Sequence, residues 1–320
     1  MAIADTTAAQ ATFGIEIECL VPRSTGIRPQ GWSGNGRHMY RYQGIDGGLV
    51  DGEFIAAPNR WNGRGFVCTS DSSLDGEQGY QCVEFVSDIM HGERDVEYLI
   101  AFLGWLRSMG AKVNRSCGVH VHVGLESLGL TTVADTCEFV EKLTGLVSHH
   151  ELGIYGQTGT NRHQSQWCPP LDERYKDCVK NAKKEKNYRW LPANRYFLLN
   201  LTNVNGRGTV EFRAFAGSLN TNKILGHLGT CLGLASVAKH NSRTSWKPST
   251  KRTAQDAVKH LWQYLGWVSG KGAPSGTYSI RKKNDCHFTY GLFGMSLERK
   301  KAIIKKGMEM AAKFDSRFTR

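Results

Sequence analysis

Alternating apolar and polar positions predict five strands. In residues 13–20 (FGIEIECL), Ile15 and Ile17 share one face of the pleat, and Glu16 and Glu18 share the other. In residues 80–87 (YQCVEFVS), Glu84 stands between Val83 and Phe85. In residues 117–124 (CGVHVHVG), Val119, Val121 and Val123 alternate with His120 and His122. In residues 208–215, Val210 and Phe212 alternate with Glu211 and Arg213. A strand over 195–201 precedes it, and Asn205-Gly206-Arg207-Gly208 predicts a hairpin turn between the two.

A period near 3.6 predicts helices elsewhere. Residues 93–109 carry a stripe of Val96, Leu99, Ile100, Leu103 and Leu106, with Gly110 as the stop. Residues 132–148 form a second amphipathic helix, and 222–239 a third, capped by Asn220 or Thr221. Residues 26–79, with 12 Gly, predict hairpins and long loops, but no G-K-[ST] phosphate loop. Residues 156–192 read as polar, basic and irregular, with Lys183, Lys184 and Lys186 on a solvated face. A Ser/Thr/Lys/Pro stretch at 241–252 divides the chain into a catalytic unit, 1–240, and a basic, mainly helical extension, 241–320, with helices over about 253–267 and 297–314. There is no internal repeat or low-complexity tract.

With 320 residues, 40% hydrophobic and 22% charged, the composition is that of a soluble globular protein; it excludes a disordered chain, a coiled coil and a disulfide miniprotein. The nine Cys include no C-x-x-C pair, which favours reduced thiols in a cytoplasmic protein. Cys117 lies three residues before His120, but without a second thiol it does not make a zinc cage. The N-terminus lacks the basic and apolar regions of a signal peptide. The most apolar stretch, 224–238, is too short to span a membrane and contains His227. Residues 1–160 hold 11 basic and 19 acidic residues, a net of −8; residues 161–320 hold 30 and 10, a net of +20. The basic half predicts affinity for a polyanion.

One strand with a polar face is ordinary, because antiparallel sheets often have one wet side. Three such faces built from Glu, His and Arg point to a site. If they converge, the carboxylates repel unless a cation sits among them. Hard oxygen donors with a little nitrogen favour Mg2+ or Mn2+ over zinc. Phosphate oxygens commonly complete such a shell, and an adjacent Arg suits a transferring phosphoryl group.

At these residues the sequence resembles a known family. FGIEIE, DSSLDGEQGYQCVEFVS, VNRSCGVHVHVG and NRYFLLNL…GTVEFRAFAGSLNTNKI are similar, in that order, to the motifs of the amidoligase enzymes. These belong to the carboxylate–amine ligase superfamily, with glutamine synthetase and glutamate–cysteine ligase. The resemblance covers about residues 13–240 and leaves the tail unmatched. It implies an α+β fold, in which a curved antiparallel β-sheet forms a funnel with helices packed outside. It also implies ATP-dependent amide or peptide bond formation through an acyl-phosphate. The substrate would be a small molecule or peptide bearing a carboxylate and an amine, with no membrane partner.

The resemblance assigns divalent metal to Glu16, Glu18, Glu84, His120 or His122, and Glu211. It assigns phosphate or acyl-phosphate to Arg213, in the E-x-R motif with Glu211. Arg195, before the Asn-Leu strand, is a second phosphate or substrate candidate, its plain alternative being a salt bridge. Arg162, in NRHQSQWCPPL, is a third, its plain alternative being a loop position. Two departures are the adjacent CPP and Asp88 in place of a Pro after Ser87. Asp71 reads as a loop cap beside Ser73.

Two other readings compete. His120-x-His122 with Glu126 resembles part of a cupin metal motif, although Asn114 and Val133 stand where its glycines belong. A nucleic-acid-binding protein would explain the basic half, but no nucleic-acid motif accompanies the charge.

Overall fold

Alternation along the first strand sets the architecture. In the computed structural model, which describes residues 11–27, 39–43, 53–57, 65–240, 246–269, 279–280 and 296–318, that strand runs over Phe13–Pro22 (β1). It is joined in one sheet by β2 (Met39–Gln43), β3 (Glu53–Ala57), β4 (Gly65–Ser70), β5 (Tyr80–Ser87), β6 (Gly118–Gly124), β7 (Leu199–Asn200) and β8 (Thr209–Ala216). The order across the sheet is β3-β2-β4-β5-β1-β6-β8-β7, and every neighbouring pair is antiparallel. β1 therefore lies between β5 and β6, the strands that carry Glu84 and the two histidines.

The apolar half of each alternation builds the core. Ile15, Ile17, Phe66, Val83, Phe85, Val119, Val121 and Phe212 are all buried in one continuous cluster. Helix α1 (Gly92–Ser108) lies on this side, with Phe102 stacked on Phe66 and edge-on to Phe85. Phe102 takes the buried place that periodicity gives to Ile100, and Gly110 ends the turn at φ +76°. Two more helices continue the layer, α2 (Val133–Gly156) and, after α3 (Glu173–Glu185), α4 (Thr221–His240). Asn220 caps α4 by accepting from the Lys223 N–H. The extension adds α5 (Ala254–Tyr264) and α6 (Leu297–Phe318), which pack against α2 and α4, and a small ladder of β9 (Val268–Ser269) and β10 (Ser279–Ile280).

The architecture is thus an α+β one, with an open antiparallel sheet and helices. Several local expectations change. α2 continues past 148 to Gly156, because His149 and His150, which interrupt its apolar pattern, lie against α5 rather than at a helix end. Residues 173–185 are helical, not irregular: Asp172 caps the Tyr175 N–H, and Tyr175, Val179 and Ala182 bury one narrow stripe. The strand over 195–201 shrinks to Leu199–Asn200, and the turn before β8 is one turn of helix, Val204–Arg207, ended by Gly208 at φ +64°. Residues 1–10, residues 28–38, 44–52 and 58–64 of the stretch expected to form hairpins and loops, the start of the boundary stretch at 241–245, and Cys286 lie outside the described residues.

Candidate active site

The strand pairings place the polar residues side by side. Glu16 pairs with His120, Glu18 with Glu84, and His122 with Glu211. Directly paired residues project from the same face, so these six form one polar patch across β5, β1, β6 and β8. Thr69 extends it opposite Glu84, and Asn200 extends it opposite Glu211.

A bulge on β8 shapes the far end. Val119 pairs with Phe215 and Val121 with Phe212, so β8 has one residue more than β6 in this interval. The extra residue lets Phe215 return to the apolar side, stacked on His227 of α4 with centroids 4.1 Å apart. Arg213 stays with Glu211, and its guanidinium donates to Glu211 Oε1.

Glu16 is the hub. Its Oε2 lies 2.9 Å from His120 Nδ1 and its Oε1 lies 3.1 Å from His122 Nε2. Burial works against the Glu16 charge, but the hydrogen bonds and positive potential of both histidines outweigh it and hold the carboxyl well below the usual range. His122 shifts the other way: burial disfavours its cation, yet the Glu16 bond and the charges of Glu16 and Glu211 raise it. Glu211 accepts from Asn200 Nδ2 at 2.6 Å and from Asn203 Nδ2 at 3.1 Å. Although burial raises it, His120 and Arg213 bring its carboxyl below the ordinary value. Glu18 accepts from the Gly118 N–H.

Glu84 is the exception. Burial, then repulsion from Glu16, Glu18 and Asp71, pushes its carboxyl up to about 9. Asp71 accepts from the N–H and hydroxyl of Ser73, as the loop-cap reading expects. It also brings a carboxylate oxygen into one of three overlapping groups of potential ligand atoms, each group lying within 4.8 Å: Glu16, His122 and Glu211; Glu16, Glu84 and His120; Glu18, Asp71 and Glu84.

Arg162 joins the patch from the 3-10 turn Arg162–Gln164. A Cβ built on Gly118 would meet the Arg162 guanidinium at 2.5 Å, His120 Nε2 at 3.1 Å and Glu18 Oε2 at 3.2 Å. Arg162 is therefore a buried neighbour of the acidic patch rather than a loop surface residue, and Gly118 is the position that admits it. Three buried nitrogens here make no hydrogen bond: His120 Nε2, Arg162 Nε and Arg213 Nε. Arg195 is not brought in; it is exposed, with its guanidinium 5.2 Å from the Tyr196 ring centroid. Glu126 is exposed on the turn after β6 and belongs to none of the ligand groups, so the cupin set has no third member among the described residues. Asp71, Asn200, Asn203, Gly118 and Thr209, whose hydroxyl lies 3.3 Å from His122 Nδ1, border the patch, and alternation alone does not reveal them.

A family model described as "Putative amidoligase enzyme" matches residues 9–235. The chain belongs to this amidoligase family. The match spans β1 to β8 and most of α4 and stops before α5 and α6. The amidoligase chain is also similar to a solved structure titled as a bifunctional glutathione synthetase from Pasteurella multocida, at 12% identity and a TM-score of 0.44. That alignment covers 97% of this chain and 48% of the other, so this chain spans about half of that protein's length. No curated protein matches. Among the described residues, no helix is long and apolar enough to cross a membrane.

Proposed function

We propose that this protein is an ATP-dependent carboxylate–amine ligase that activates an acid as its acyl-phosphate and passes it to an amine. The supporting observation is the single polar face that gathers five carboxylates, two histidines and two buried guanidiniums from β1, β5, β6, β8, the Asp71 loop and the Arg162 turn. The alternating face and its helical backing suit the wall of a funnel of the kind the family resemblance implies. The catalytic unit in this reading is 1–240, with 241–320 as its extension.

Residues and groups fit. Five carboxylates against two guanidiniums leave the face short of positive charge, and Glu84 relieves this by keeping a proton. A divalent cation would relieve it instead, and the oxygen-rich donor sets suit Mg2+ or Mn2+. Glu16, Glu18, Glu84, His120, His122 and Glu211 would hold it, with Asp71 as an added donor. The overlap of the three groups gives room for more than one ion, with His120 in one group and His122 in another. Bound there, Mg2+ supplies charge neutralisation for the triphosphate and the transferring phosphoryl group.

The chain's own residues do the rest. Arg213 and Arg162, each with an unpaired buried Nε–H, donate to phosphate oxygens. Glu211 and its two Asn partners hold Arg213 in place. Glu16 orients both imidazoles. A carboxylate of this face, or whichever of His120 and His122 does not bind metal, takes the proton that the attacking amine loses. Arg195, exposed before β7, is a second phosphate or substrate contact that would have to act from outside the polar face. The substrate is a small molecule or peptide with a carboxylate and an amine, and the basic half adds affinity for polyanions.

The experiment is an ADP-release screen with Mg2+-ATP over pooled acids and amines, with mass spectrometry of the condensed product. Glu16→Gln and Glu211→Gln are expected to abolish substrate-dependent ADP release with an unchanged circular dichroism spectrum. Full activity in both variants would sink the assignment.

A further inference from the structure

In the helical layer, α2 and α5 run antiparallel at close range. Gly153 faces Ala257, where an added Cβ would lie 2.8 Å from the Ala257 carbonyl oxygen. One turn on, a Cβ at Gly156 would lie 2.9 Å from the Ala254 Cβ. Continuing that register one turn the other way brings His150 opposite His260, and their ring centroids are 5.2 Å apart. His149 completes a triangle, 4.8 Å from His150 and 5.6 Å from His260. The three rings offer nitrogens that all lie within 4.8 Å of one another.

His150 is 2% exposed, and neither of its ring nitrogens has a hydrogen-bond partner. His260 Nδ1 is also unpartnered. A buried imidazole with both nitrogens unsatisfied calls for an explanation in a folded protein. His149 is already oriented: its Nδ1 lies 2.7 Å from the Lys247 carbonyl oxygen, a contact that needs a proton on Nδ1 and so, in the neutral tautomer, puts the lone pair on Nε2. This carbonyl-to-imidazole bond is the outer contact that metal-binding histidines usually make. Burial, followed by the neighbouring imidazoles, pushes His150 down to about 3. It is therefore neutral over the physiological range and able to donate a lone pair.

We propose that His149, His150 and His260 form a second metal site, which takes a borderline divalent transition-metal ion, zinc foremost, and fastens α5 of the extension to α2. The donor set differs from that of the polar face. Three imidazoles with no carboxylate favour zinc and its neighbours over Mg2+. Zn–N bonds of about 2.0–2.1 Å in a tetrahedral arrangement set ring centroids about 5 Å apart, as these three are. The half-exposed His149 and His260 give the ion a way in, and water or another solvent ligand takes the fourth position.

The test uses the full chain, freed of metal and kept in excess Mg2+ so that the carboxylate-rich face does not compete. Titration with Co2+ should produce the intense visible d–d bands of a tetrahedral or five-coordinate site at one ion per chain, and Zn2+ should abolish them and raise Tm. His260→Gln should weaken Zn2+ binding by more than about 100-fold, since losing even an outer partner of a metal-binding His costs about 10–100-fold. Glu16→Gln should keep the bands, which separates this site from the polar face. His149→Gln, at a half-exposed position, gives the same reading if His260→Gln disturbs the fold. Absence of cobalt bands in the wild type, or equal Zn2+ affinity in wild type, His260→Gln and His149→Gln, overturns the proposal.

Discussion

Glu84 shows how much one carboxyl depends on its neighbours. An unfolded chain releases the Glu84 proton near 4.5, whereas the folded protein keeps it to about 9. Between those values the folded state binds one proton more than the unfolded state. Its contribution to stability is therefore complete below about 4.5 and is lost as pH rises through about 9. Glu16 and Glu211, held below the ordinary value, work in the opposite direction and lose their contribution as pH falls. In EDTA, the urea midpoint should fall from pH 6 to pH 9, and Glu84→Gln should flatten that fall. Added Mg2+ should raise the midpoint most at the alkaline end. A midpoint independent of pH in both proteins would contradict the assignment. Gly118 is a second residue-scale case. A methyl group there displaces the far end of the Arg162 side chain, not backbone. Gly118→Ala should therefore lower ADP release at least about tenfold, the cost of about 1.4 kcal/mol in transition-state binding, with little change in Tm. Alternation reveals the Glu, His and Arg doublets, but Gly118 has no side chain to alternate, and Arg162 lies 44 residues away in the chain.

At the scale of elements, two helical glycines with different surroundings make opposite predictions. Gly153 in α2 faces the backbone of α5, which cannot yield as a flexible side chain can. Gly153→Val should lower stability by about 1–3 kcal/mol through overpacking, read as a drop in Tm. Gly104 in α1 meets only the tip of Arg107, at 3.8 Å. Gly104→Ala should stabilise by up to about 1 kcal/mol, because alanine loses less backbone freedom in a helix. α3 and the end of α2 escape pattern reading for a related reason. The buried stripe of α3 is narrow and set among Lys and Glu, and the two histidines of α2 resemble a polar helix end until α5 covers them.

In the molecule as a whole, the extension is joined to the family region rather than tethered beside it. α5 and α6 pack on α2 and α4, and Trp262, Trp267, Ile303, Ile304 and Phe314 lie in the same apolar cluster as Ile15 and Phe85. A shared core predicts shared unfolding. Differential scanning calorimetry should show one transition, with equal calorimetric and van't Hoff enthalpies. Two separated transitions would mean that the extension folds independently.

The amino-acid order alone settles which side chains share a face, since the period of a strand is two residues and the period of a helix is 3.6. It therefore brings out the acidic, imidazole and guanidinium doublets, the apolar sides that become the core, and the ordered motifs by which the family is recognised. Tertiary structure decides which faces meet. Only the strand order sets Glu18 opposite Glu84 and Glu16 opposite His120, only the β8 bulge returns Phe215 to the core, and only the close approach of α5 assembles the three histidines. These are contacts between residues far apart in the chain, made by packing and backbone pairing, and no local period encodes them.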